Sequence, residues 1–264
     1  MNIKILFIGD IFGRPGRNTV ANLLPELLNN KGTFDLIIAN GENAAGGMGI
    51  TPKIANTFLE WGIDVITTGN HVWSQKEIID YFGKQPKILR PANYPPGIPG
   101  KGVLITQMKN GLKAAVINIA GQLFMENSDN PFHTATKILE ELKHETNIII
   151  VDFHAEATSE KIAMGWYLDG KVSAVIGTHT HVQTADERIL PKGTAYITDV
   201  GMTGPYDSVI GMDIETVIYR FTTMMPKSLK VAKGNTIFSG LLIEVDANTG
   251  KSVSIERIQI LSRK

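Results

Sequence analysis

The chain of 264 residues contains no cysteine. That excludes disulfides, iron-sulfur clusters and thiolate zinc sites, so any metal must be held by imidazole, carboxylate and amide donors. There is no excess charge of either sign: 26 basic residues balance 26 acidic ones, leaving no bulk field to gather duplex nucleic acid or an anionic membrane. No apolar run approaches the roughly 20 residues that span a bilayer. The short apolar stretch within Met1 to Phe12 is interrupted by Asp10, followed by Arg14 and lacks a small-residue cleavage site, so it is not read as a signal peptide. These absences point to a soluble cytoplasmic protein with neither a membrane nor duplex nucleic acid as partner, and they leave homo-oligomer formation open.

What is present is an alternation of short β-branched runs with helical patterns, which predicts an α/β fold. Apolar content of 43% can bury a substantial core, and residues 1–264 are expected to form one domain. Strands are expected at 3–8, 34–39, 64–68, 148–153 and 172–176. Helices are expected at 18–28, 52–60, 132–143 and 158–168, with Thr51 and Pro52 opening the second and Ser74 capping a further short helix. Arg90 to Gly102 is too rich in proline and glycine for a regular element and reads as an internal loop. Asn110-Gly111 between two apolar runs predicts a hairpin. After Gly193 the pattern becomes strand-rich, which suggests two mixed sheets packed face to face with helices outside.

Polar residues with ligand chemistry follow the strand ends. Asp10, Glu42 with Asn43, Asn70 with His71, and His154 each come just after an apolar run, and the fifth run leads into Gly177-Thr178-His179-Thr180-His181. In open α/β sheets ligands bind outside the carboxyl ends of strands, so these positions can reach one crevice. Side-chain alternation with period two would present His179 and His181 to the same rim. A two-metal site needs a carboxylate that bridges the ions, and Asp10 or Glu42 could serve. Carboxylate, amide and imidazole donors without sulfur favour manganese or iron, leave zinc open and disfavour calcium. His71, directly after Asn70, is placed to act over the substrate as a proton donor. Gly9, Gly41, Gly69 and Gly177 could let the backbone pass close to ions and phosphate, and Arg14 and Arg17 could add phosphate contacts. His133 and His144 read as surface residues, and Asp199 and Asp207 as shaping turns.

The order Gly9-Asp10, Gly41-Glu42-Asn43, Gly69-Asn70-His71, His154 and Gly177 to His181 resembles the calcineurin-like metallophosphoesterases. Longer stretches, including Asn40 to Ala45, Asp152 to Glu160 and Thr178 to Asp186, resemble the YmdB-like phosphodiesterases along nearly the whole chain. The resemblance implies a four-layer α-β-β-α sandwich, a two-metal site, and hydrolysis of cyclic nucleotides, 2′,3′-cyclic ones included and 3′,5′-cyclic ones as further candidates, by attack of a metal-bridging hydroxide. It further implies that Asp10, Glu42, Asn43 and His181 hold one ion, that Glu42, Asn70, His154 and His179 hold the other, and that His71 is the general acid.

Three positions depart from the wider superfamily. Phe12 stands where a histidine is usual, Glu42 replaces the bridging aspartate, and Val72 replaces the acid after the His71 position. Asn43 is expected to compensate for the imidazole missing at Phe12. The alternative function is a regulatory nucleotide-binding protein on the same scaffold with little turnover. An amidohydrolase barrel is disfavoured, because its His-x-His pair follows the first strand.

Overall fold

A computed structural model describes residues 1–262. One mixed sheet contains β1 (Asn2–Ile8), β2 (Asp10–Ile11), β3 (Leu36–Asn40), β4 (Val65–Thr67), β11 (Met202–Pro205), β12 (Thr236–Asp246) and β13 (Ser252–Ser262). Its order is β2-β11-β12-β1-β3-β4, and β13 runs antiparallel along the other edge of β12. The second mixed sheet contains β5 (Val103–Gln107), β6 (Lys113–Ala120), β7 (Ile149–His154), β8 (Ala174–Thr178), β9 (Arg188–Ile189) and β10 (Ala195–Ile197), in the order β5-β6-β7-β8-β10-β9. β1, β3 and β4 run parallel in the first sheet, as do β6, β7, β8 and β10 in the second.

Strand alternation divides the apolar side chains into three buried layers. Ile3, Ile5 and Phe7 of β1 join Ile148, Ile150, Ala174 and Ile176 between the sheets. Leu6 and Ile8, from the opposite face of β1, pack with Val20 and Leu24 of α1 (Gly13–Lys31) and Phe58 of α2 (Pro52–Glu60). α3 (Ile78–Phe82) adds Ile78 and Phe82 to that layer. On the far side, Ile117, Val151 and Phe153 meet Ile138 of α4 (Pro131–Leu142) and Met164 and Leu168 of α5 (Thr158–Leu168). The result is the expected α-β-β-α sandwich rather than a barrel. α6 (Ile214–Thr223) lies on the surface with Thr216 as its buried residue. Among the described residues no helix is long and apolar enough to cross a membrane.

Several local expectations hold. Thr51 Oγ1 accepts from the Ile54 amide at 3.3 Å with Pro52 opening α2, and β5 and β6 form the hairpin around Gly111. Others change. α1 begins at Gly13, five residues before the predicted start, because Pro15 fits a first helical turn where its missing N–H costs nothing. Ser74 caps no helix, and α3 follows Glu77 without a side-chain cap. The fifth predicted strand shifts to Ala174–Thr178, so both histidines lie beyond it. Their φ angles of 98° for His179 and 68° for His181 are left-handed; a turn, not strand alternation, therefore sets where those imidazoles point.

The chain beyond that turn is tied down by Asp186. Its carboxylate accepts from Thr184 Oγ1 at 2.7 Å, Thr198 Oγ1 at 2.5 Å and the Thr198 amide at 3.1 Å. Partial burial opposes the charge, yet these hydrogen bonds outweigh it and hold the carboxyl below the usual carboxylate range. A depressed folded-state pKa stabilises the fold above the unfolded pKa of about 4 and ceases to do so as pH falls through the folded value. Asp186→Asn is therefore expected to cost about 1 kcal/mol near neutral pH, with the deficit against wild type shrinking below about pH 4. Denaturant melts across pH check this, and a deficit unchanged at low pH contradicts it.

Candidate metal centre

The carboxyl ends of the parallel strands in both sheets open onto one crevice, and the predicted residues meet there. Asp10 in β2 and Glu42 and Asn43 after β3 come from the first sheet, with Asn70 and His71 after β4; His154 ends β7, and His179 and His181 follow β8. Asp10, Glu42 and His154 are fully buried, and Asn43 is nearly so. Glu42 Oε1 lies 3.0 Å from His154 Nε2. That nitrogen also stands 3.1 Å from Asn70 Oδ1 and 3.1 Å from His179 Nδ1. Glu42, His154 and His179 thus offer ligand atoms within 4.8 Å of one another, a group that could hold a metal ion.

Each of these imidazoles has its outward nitrogen engaged by an acceptor. Thr178 donates to Asp152 Oδ1 at 2.7 Å, so its oxygen is left to accept from His154 Nδ1 at 2.8 Å. His179 Nε2 faces Glu156 Oε2 at 3.1 Å. His181 Nδ1 donates to the Ile210 carbonyl at 2.9 Å. The N–H is spent on an outer partner in every case, and the other nitrogen is turned inward, as metal-ligating histidines are held. Asp152 is itself locked by Thr67 at 2.5 Å and by Asn40 at 3.0 Å.

Asn43 connects the second group. Its Nδ2 lies 3.3 Å from Glu42 Oε1 and 3.1 Å from His181 Nε2, while its Oδ1 accepts from His71 Nδ1 at 3.0 Å. This amide fills the place left by Val72, because it orients the His71 ring that has no acid beside it in sequence. To serve as an oxygen ligand next to His181, the Asn43 amide must turn over and exchange its two ends. Phe12 packs edge-on to His181 at 5.5 Å between ring centroids and is 2% exposed. It forms a wall for the imidazole where the wider superfamily places a ligand. Asp10 caps no helix: its Oδ2 accepts from the His179 amide at 3.1 Å.

Electrostatics show why a cation fits. Burial raises Asp10 well above the usual carboxylate range, with nearby Asp199 and Glu42 adding to the rise against the pull of His154. Burial likewise opposes the charge on Glu42, but His154, and after it His71, outweigh this and hold Glu42 well below that range. Burial works against a charged His154 too, and Glu42 overcomes it, pushing the imidazole up to about 9. The proton between those two groups does what a metal cation would do between the same atoms, and metal binding would displace it. Burial, followed by repulsion from His154, brings His179 down to about 3, and burial also lowers His181. Both rings are therefore neutral donors. Asp10 Oδ1 is buried with no hydrogen-bond partner, an oxygen whose desolvation a bound cation would offset.

Of the four glycines singled out, only Gly69 borders this cluster. A Cβ there would fall 2.1 Å from Glu42 Oε2 and 2.2 Å from His154 Nε2. The corresponding atoms at Gly9 and Gly177 would strike the carbonyls of Gly201 and Thr198, and at Gly41 the side chains of Ile50 and Ile66, so those three serve packing. Arg17 donates to the Ala44 carbonyl and is engaged by the fold. Arg14 is exposed and lines a cavity with Asn18, Asn22 and Lys233. His133 and His144 are exposed, as expected. Thr178, Asp152, Glu156 and the Ile210 carbonyl, which orient the imidazoles, could not be assigned from the motifs alone; Asp152 and Glu156 do flank His154, which is the one local signal.

The chain as a whole is similar to known proteins. A chain from Bacillus subtilis named 2′,3′-cyclic-nucleotide 2′-phosphodiesterase is 54% identical over 98% of this chain and 97% of its own length. The crystal structure described as a novel phosphatase from Mycoplasma pneumoniae superposes with a TM-score of 0.93 at 38% identity, covering 100% of this chain and 95% of that one. A hypothetical protein from Thermus thermophilus superposes with a TM-score of 0.89 at 41% identity, over 98% of this chain and all of the other. The family model described as YmdB-like protein matches residues 6–258, and the chain belongs to that family.

Proposed function

We propose that this protein is a metal-dependent phosphodiesterase that opens cyclic phosphodiesters of nucleosides, the 2′,3′-cyclic ones first and 3′,5′-cyclic ones as further candidates, in the cytoplasm and within a single domain. The observation that carries this reading is the set of three imidazoles, each anchored by its outward nitrogen and turned toward buried carboxylates. The Bacillus subtilis relative supports the substrate class by its name.

In this reading Glu42, Asn70, His154 and His179 hold one ion, and Asp10, Asn43 and His181 hold a second, with Glu42 shared. Bound manganese or iron would supply Lewis acidity toward the phosphate and a water of lowered pKa. Burial of Asp10 and Glu42 excludes competing solvent and aims their oxygens inward. His71 keeps 30% of its side chain exposed, and its Nδ1 faces Asn43 Oδ1 and, at 3.5 Å, Glu42 Oε1. With the Asn43 amide turned over to give its oxygen to the ion, its Nδ2 would face His71 Nδ1, and His71 Nε2 is left toward the substrate, placed to hand a proton to the departing ribose oxygen. The His71 amide donates to Glu42 Oε2 at 3.2 Å, which ties the backbone of the proton donor to the shared carboxylate.

Purified protein supplied with manganese or iron is expected to hydrolyse 2′,3′-cyclic AMP and to lose that activity on chelation. His71→Ala is expected to lower kcat by about 10²- to 10⁴-fold while metal content by elemental analysis is unchanged. Full turnover in that variant would remove His71 from the chemistry, and tight nucleotide retention without product from wild type would favour the regulatory binding protein instead. Gly69→Ala, whose methyl group collides with Glu42 and His154, is expected to weaken manganese binding by about 10- to 100-fold. Calorimetric titration checks it, and wild-type affinity contradicts the placement of the ion at this cluster.

A further inference from the structure

We infer that the buried ion pair between Lys161 of α5 and Asp199 after β10 positions the turn that carries His179 and His181; this rests on the metal-centre reading above. Lys161 Nζ lies 2.7 Å from Asp199 Oδ2, and the side chains are 1% and 0% exposed. Burying both charges costs their hydration, and an apolar pair of similar volume often stabilises a fold as well or better. Stability alone is therefore a weak reason for the pair, and its contacts supply a stronger one.

Asp199 Oδ2 accepts from the Thr180 amide at 3.0 Å and from Thr180 Oγ1 at 2.7 Å. Thr180 is the residue between the two histidines, and both of them hold left-handed backbone conformations that side-chain-bearing residues disfavour. Such a turn persists where its surroundings over-determine it, and here one carboxylate oxygen takes both polar groups of its central residue. Asp199 Oδ1 accepts from the Gly201 amide at 2.8 Å, and the Gly201 carbonyl in turn accepts from the Asp10 amide at 3.1 Å. The Met202 amide donates to the His181 carbonyl at 2.9 Å. One buried carboxylate thus ties His179, His181 and Asp10 to a single frame, while Lys161 compensates its charge. The stem of Lys161 runs beside Gly177, where an added Cβ would lie 3.2 Å from Lys161 Cδ, so the lysine reaches Asp199 over a residue with no side chain.

Lys161 and Asp199 are therefore positioning residues, and their removal should loosen metal binding more than folding. The test is calorimetric titration with Mn²⁺ alongside thermal melting of metal-free protein, for wild type, Asp199→Asn and the double variant Lys161→Met with Asp199→Leu. The expected result is an affinity loss of about 10- to 100-fold in Asp199→Asn. The charge-free double variant should melt near the wild-type temperature yet bind Mn²⁺ as weakly as Asp199→Asn. A merely structural pair would not produce that split, and wild-type affinity in the folded double variant overturns the inference. Thr180→Val leaves the ion pair whole and removes one hydroxyl; if the double variant does not fold, a loss of about tenfold in Thr180→Val supports the inference, and unchanged affinity overturns it. Wild-type protein that binds neither Mn²⁺ nor Fe²⁺ would instead overturn the metal-centre reading itself.

Discussion

The burial of Asp10 and Glu42 at the junction of the two sheets is the constraint on which the site depends. Neither carboxylate is exposed, and Asp152 and Asp199 are buried beside them with Lys161 as the ammonium that pairs with Asp199. Buried carboxylates must find partners or give up their charge. Glu42 finds His154 and stays ionised, whereas burial drives Asp10 toward protonation and leaves Oδ1 unpartnered. Bound cations would resolve both positions: one would meet the free oxygen of Asp10, and another would take the place of the proton between Glu42 and His154. The anionic crevice is costly as a structural feature and useful as a cation site.

The surrounding shell is built to keep the inward nitrogens of three imidazoles aimed at that negative centre. Three different acceptors do this: a hydroxyl committed to Asp152, the Glu156 carboxylate and the Ile210 backbone carbonyl. The departures from the wider superfamily also find physical accounts. Phe12 closes one side of His181 with an apolar edge, and Asn43 takes over the orientation of His71 that a neighbouring acid would otherwise provide. Asn43 also approaches Glu42 and His181, so one amide links His71 to both halves of the cluster.

Much of this was legible in the sequence because α/β topology converts strand ends into neighbours. Asp10, Glu42, Asn70 and His154 could be grouped without coordinates, since each follows an apolar run whose carboxyl end opens on the same crevice. The packing of the sheets was legible for a similar reason: Ile3, Ile5 and Phe7 separate from Leu6 and Ile8 by simple alternation. The orientation of His179 and His181 was not legible, because it depends on left-handed turn geometry held from Asp199, a residue that reads locally as a turn former. The roles of Gly9, Gly41 and Gly177 were hidden for the same reason. Their near neighbours Gly201, Ile50 and Thr198 belong to other segments, and spacing along the chain carries no trace of such contacts.

The central claim is that one buried carboxylate, Glu42, joins two cation positions built from different imidazoles. Anomalous diffraction from crystals grown with manganese tests it most directly. Two peaks are predicted, one among Asn70, His154 and His179 and one between Asp10 and His181, with Glu42 contacting both. No manganese peak, or a single peak that leaves Asp10 and His181 without a metal contact, would contradict the account.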